Sequence, residues 1–216
     1  MDCVFFGRSA GYLVVRDPHR KTNVYWSEIG SETIDEYRCA RDTLEAMGFV
    51  IKAVVIDGKP GVKRVFADVP VQMCQFHQKA IITHHLTRRP KLDAGRELRE
   101  IVRSLCVTDE TGFALALDAW HAKWSEFLKE RTIDDSTGRW RYTHKRLRAA
   151  YHSLRNNLPY LFTCLRYPEL GIPNTTNSLD GTFAHLKGLV QIHRGAKPDL
   201  KHKMTLSILQ NRPRKT

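Results

Sequence analysis

Residues 51–58, "IKAVVIDG", decide how this chain is read. Ala53, Val54, Val55 and Ile56 run on without a polar break, the pattern of a strand buried on both faces of a parallel sheet. The run closes on Asp57 and Gly58. Carboxyl ends of strands in open α/β sheets are where binding sites collect, and a glycine beside the acid lets a ligand or backbone come close. The competing reading of Asp57 is a strand-end residue that opens a turn.

Toward the N-terminus, "CVFFG" (3–7) and "YLVVRD" (12–17) are short, aromatic and β-branched, and "TNVYWSEI" (22–29) follows a turn-like "DPHRK". Three strands are expected. Residues 31–49 then spell an amphipathic helix, with Ile34, Tyr37, Leu44 and Met47 near helical spacing and Gly48 as its stop. After Asp57 come a short helix in "KPGVKRVFAD" (59–68) and a short strand in "VPVQMCQFH" (69–77). The order β-β-β-α-β-α-β predicts the α/β class, a mixed sheet flanked by helices.

From about residue 79 to 168 the pattern is helical alone. Residues 91–106, 110–132 and 142–167 are each periodic, with "DDSTGRW" (134–140) as a linker and Pro159 expected to bend or break the third helix. "PELGIPNTTN" (168–177) reads as a loop. Asp180 follows, with Phe183, Leu186 and Leu189 on one helical face. An acid in a first turn offsets the helix dipole, so capping is the plain reading of Asp180. Residues 196–216 are expected to be a basic tail, frayed at its end.

Thirty-five Lys and Arg against 23 Asp and Glu give a net charge of +12. That excess points to a polyanionic partner. Apolar residues at 42% suffice for a core, which excludes disorder as the default. No apolar stretch approaches the roughly 20 residues that span a bilayer, and no basic amphipathic anchor stands out, so no membrane partner is expected. Five scattered cysteines make no disulfide framework and suit a reducing, cytoplasmic setting. The chain shows no signal peptide.

Three acids stand out by position: Asp2 on the first strand, Asp57 at a strand end and Asp180 at the start of a late helix. Hard oxygen ligands of this kind suit Mg²⁺ or Mn²⁺, and two such ions can hold both oxygens of a phosphodiester displacement. Each acid also has its plain structural reading. Cys74-x-x-His77 is half of a zinc site, with His84 and His85 as candidate partners, although packing explains it better. Trp120 and Trp124 lie four apart on an apolar face and read as core, while Trp140 could stack on bases. Residues 143–155 form a basic helix whose His144, Lys145, Arg146, Arg148 and Arg155 are either a solvated face or phosphate contacts.

"VVIDGKPGV", "VPVQMCQFHQKAII", "YTHKRLRAAYHSLRNNLPYLFT" and "IPNTTNSLDGTFAHLK" together resemble the transposases of Mutator-type bacterial insertion sequences. The resemblance runs through nearly the whole chain. It implies a ribonuclease-H-like core interrupted by an all-helical insertion: residues 1–85 as the first part of the core, 86–172 as the insertion, and 173–216 as the final catalytic helix and basic tail. It also implies metal-dependent cleavage and strand transfer on DNA, with transposon ends and target DNA as partners and a homo-oligomer when active. Asp2, Asp57 and Asp180 match the family's acidic triad, where Glu often stands third, and would bind two Mg²⁺ or Mn²⁺ ions. Cys74 and His77 match its Cys-x₂-His signature. The family's DNA-binding region would precede Asp2, so an N-terminally truncated product is expected. A DNA-binding regulator without catalysis is the alternative.

Overall fold

The structure, a computed structural model, describes residues 1–6 and 10–210, with the backbone alone for Ser178, Asp180 and Pro198. It is a mixed α/β protein with small sheets. Two compact units make up the chain, residues 1–71 with 176–216 and residues 72–175.

The first unit opens with the three expected strands, β1 (Asp2–Phe5), β2 (Gly11–Asp17) and β3 (Thr22–Ile29), in one antiparallel sheet. Asp2 lies opposite Val14 and Val4 opposite Tyr12. Side chains alternate across a strand. Asp2 and Val4 are therefore buried on one face while Cys3 and Phe5, half-buried, take the other. Helix α1 (Ile34–Ala46) starts three residues later than the pattern suggested. Thr33 is its cap, accepting from the Glu36 N–H at 3.3 Å. Tyr37, Ala40 and Leu44 form its buried stripe.

The decisive run forms β4 (Val54–Ile56), with Val54 and Ile56 buried. Met1 N donates to the Val55 carbonyl at 2.8 Å, so the start of β1 lies against β4. A short helix α2 (Val62–Val65) leads to β5 (Val71–Met73), and Val54 N–H donates to the Pro70 carbonyl at 3.0 Å. Arg41 ties α1 to the end of this turn through both oxygens of Asp68, at 2.6 Å each.

The second unit is helical. The expected strand 69–77 is half right: β5 stops at Met73, and Cys74 caps α3 (Gln75–Leu86). The reason is the burial of Gln75, Gln78, Ile82 and Leu86, a helical spacing hidden by polar residues. Helices α4 (Asp93–Ser104) and α5 (Glu110–Lys129) follow. The supposed linker 134–140 instead turns a β-hairpin, β6 (Arg131–Ile133) with β7 (Trp140–Tyr142). Helix α6 (Lys145–Leu161) contains Pro159 near its end, and α7 (Thr163–Arg166) comes after the break. Phe113, Leu117, Trp120, Tyr151, Leu154 and Phe162 centre the core. Three buried glutamines are satisfied inside it. Gln72 and Gln75 each donate to the Leu161 carbonyl at 2.9 Å, and Gln78 donates to Ser153 Oγ at 3.1 Å.

Chain return to the first unit comes at Thr176, the cap of α8 (Asn177–Ile192). Leu179, Phe183 and Leu186 bury themselves against Val4, Tyr12 and Val14, each contributing about 1.5–3 kcal/mol. The basic tail contains a further helix, α9 (Pro198–Leu209), whose Leu209 joins that cluster. The fraying expected at the very end falls on 211–216, outside the described residues. No helix among the described residues is long and apolar enough to cross a membrane.

Candidate active site

Asp2 is the most buried acid described, 5% exposed. Its Oδ1 accepts from the Cys3 N–H at 2.7 Å. An ionised carboxylate taken out of water costs several kcal/mol unless cations or donors surround it. Its face of the sheet is the one that α8 covers. Arg16, two residues beyond the Asp2–Val14 pair on β2, donates to Thr182 Oγ1 of α8 at 3.2 Å. The first turns of α8 therefore stand at the Asp2 end of the sheet.

Asp57 follows β4 directly. Gly58 after it has φ of +97°, which L side chains rarely adopt, so glycine is required there. The turn lets Asp57 Oδ1 accept from the Lys59 N–H at 3.1 Å, a local bond that fixes the side chain at the strand end. This geometry is the one the turn-opening reading of Asp57 expects.

Next to Asp2 in the chain, on the other face of β1, Cys3 belongs to a pair that sequence reasoning did not assign to the site. Tyr37, fully buried on α1, lies 3.6 Å from Cys3 Sγ and donates to Glu32 Oε1 at 2.8 Å. Burial pushes the Cys3 thiol up to about 12, and the charges of Glu32, Asp2 and Asp57 push the same way, against the contact with the Tyr37 hydroxyl. Burial, then the Asp57 charge, holds the Tyr37 phenol far above its usual range. Both groups stay protonated and neutral. Glu32 carries no periodic or motif signal, because it precedes α1 and belongs to no helical stripe. Only the fold reveals it.

Asp180 lies in the first turn of α8 by its backbone. Its side chain is outside the described residues. Among the described residues, no three His, Cys, Asp or Glu side chains converge to hold a metal ion, a statement that leaves out the Asp180 carboxylate. The described donors, Asp2 and Asp57, are hard oxygen ligands, and their chemistry fits Mg²⁺ or Mn²⁺ rather than a soft metal.

Cys74 is fully buried at the head of α3, and the His77 ring stands edge-on to Phe76. Neither meets His84 or His85 in a metal-binding group among the described residues. Trp120 and Trp124 are packed, their indole N–H groups donating to the Ala94 carbonyl and to Glu97 at 2.9 and 2.8 Å. Trp140 is exposed. The chain matches no protein-family model, no curated protein and no solved structure.

Proposed function

We propose that this chain is the catalytic domain of a DDE-type transposase, acting by metal-dependent cleavage and strand transfer on DNA, on a ribonuclease-H-like core interrupted by the helical unit. The observation that carries the reading is the Met1–Val55 hydrogen bond, which sets the start of β1, with Asp2, against β4, which ends at Asp57, together with the helix bearing Asp180 laid over the Asp2 end of the same sheet. Support for the core comes from the antiparallel β1–β3 sheet, extended toward β4 by the Met1–Val55 bond, and from the 104-residue helical unit that lies between β5 and α8 in sequence.

Asp2, Asp57 and Asp180 would hold the divalent ions. Bound Mg²⁺ or Mn²⁺ would supply positive charge to the attacking and leaving oxygens of a phosphodiester. The chain's own part is to orient and confine. The Asp57–Gly58 turn aims one carboxylate, and the Cys3 N–H orients another. Tyr37 fixes Glu32, and the neutral Cys3–Tyr37 pair keeps additional charge out of the cluster. The net charge of +12 favours the DNA backbone as substrate.

Nicking of supercoiled DNA with Mg²⁺ or Mn²⁺ tests the reading. Asp57→Ala and Asp180→Ala should each lower the rate at least about a hundredfold, the scale of losing a charge-stabilising group. Nicking that survives both changes refutes the assignment. Tight DNA binding with no nicking under any metal favours the regulator instead.

A further inference from the structure

The helical unit carries a cationic cavity that the acidic cluster does not use. It has a volume of about 430 Å³ and lies between the end of α3 and the start of α6. Arg89, Lys91, Lys145 and Arg146 line it together with His85, and no acid does. Arg89, Lys91 and Lys145 are exposed and make no ion pair with a described residue. Burial and the positive charges of His84 and Arg146 lower the His85 pKa, which reflects the field in this corner. One acid stands close, Glu130, already engaged with His144 at 2.9 Å.

Beside the cavity in sequence stands the β6–β7 hairpin. Residues 139–148, "RWRYTHKRLR", hold five Arg or Lys and no acid. Trp140 is 53% exposed, with the Arg131 guanidinium 4.1 Å from its ring centroid. Arg148 covers Tyr142 at 3.7 Å. An exposed indole costs free energy in water, and the surrounding guanidinium groups have N–H donors to give. Together they fit a strand that offers phosphates and base faces in alternation.

We propose that this cavity and hairpin form a second nucleic-acid contact: a backbone phosphate enters the cavity, and a base of the same strand stacks on Trp140. The proposal rests on DNA being the substrate, but it concerns residues that take no part in the acidic cluster.

The test is fluorescence anisotropy of the full chain with a short mixed-sequence DNA, single-stranded and duplex, in EDTA between about 50 and 200 mM salt. The triple variant R89Q/K91Q/K145Q should keep the wild-type circular dichroism and flatten the log–log salt slope by about one, since each phosphate contact accounts for roughly 0.7–0.9. Trp140→Ala should weaken single-stranded DNA by about 5- to 150-fold, the worth of one stacked base, and duplex much less. A folded triple variant with the wild-type slope overturns the cavity as a phosphate site. Equal binding by Trp140→Ala on single strands overturns the stack. Binding is read in EDTA, where no metal-dependent nicking occurs, so a lost slope or stack there speaks only to this contact, whereas nicking lost in Asp57→Ala with Mg²⁺ speaks only to the carboxylates of the sheet unit.

Discussion

The two units carry the same net charge and handle it in opposite ways. Residues 72–175 hold 17 Lys and Arg against 11 Asp and Glu, and the rest of the chain holds 18 against 12. Each is therefore +6. The helical unit keeps its charges at the surface and buries only neutral polar side chains, Thr163 and three glutamines, the glutamines satisfied by backbone and side-chain partners. The sheet unit buries a carboxylate, Asp2, and sets Glu32 and Asp57 near the same thiol. Buried amides ask only for hydrogen bonds, whereas a buried carboxylate asks for a counter-charge. One interior is closed by neutral groups, and the other encloses an ionisable carboxyl group.

Substitutions that separate the two interiors follow, with the greatest loss expected in the helical unit. Phe113→Ala removes a buried ring that meets Phe162 at 5.7 Å. It should cost about 3–5 kcal/mol in urea unfolding. Gln72→Leu keeps volume but strands the Cys164 N–H, which now donates to Gln72 Oε1 at 2.8 Å. About 1–3 kcal/mol should be lost. A loss under a few tenths of a kcal/mol would show that this network is dispensable, and would weaken the contrast.

The sheet unit should respond to pH instead. A thiol pKa raised in the fold means that the folded state holds its proton more tightly. Stability from Cys3 is thus complete below the ordinary value of 9.0 and is lost as pH climbs toward about 12. Urea midpoints should fall above about pH 9, and the fall should lessen in Cys3→Ala. Asp2→Asn in EDTA should have the smallest effect, within about 1 kcal/mol, because it keeps the side chain's shape and leaves an oxygen for the Cys3 N–H.

Much of this fold was legible in the chain. The apolar run 53–56, the β1–β3 strands and the α1 stripe obey simple periods, and β3 matches its expected bounds at both ends. What escaped was whatever lacked a period. Strand 69–77 hid a helix because its buried positions are glutamines. The hairpin at 131–142 looked like a linker because three-residue strands carry no alternation to count. Helix α9 was masked by its lysines. Asp57 stood out in the sequence by its place at a strand end, whereas nothing but the resemblance set Asp2 apart from an exposed terminal residue, and its burial came from the fold. Tyr37 looked like ordinary core, and Glu32 like a helix-start residue. Their hydrogen bond joins the segment before α1 to its buried stripe, five residues apart, a spacing that no periodic pattern marks.

The central claim is that carboxylates from separate segments hold a divalent ion in the sheet unit. Thermal unfolding with Mn²⁺ and with EDTA tests it most directly, on the wild type, Asp2→Asn and Asp57→Asn. The wild type should gain stability with Mn²⁺, about 2.7 kcal/mol at a hundredfold excess over the dissociation constant, and both variants should gain nothing. Equal gains in all three proteins, or none in the wild type, would contradict the account.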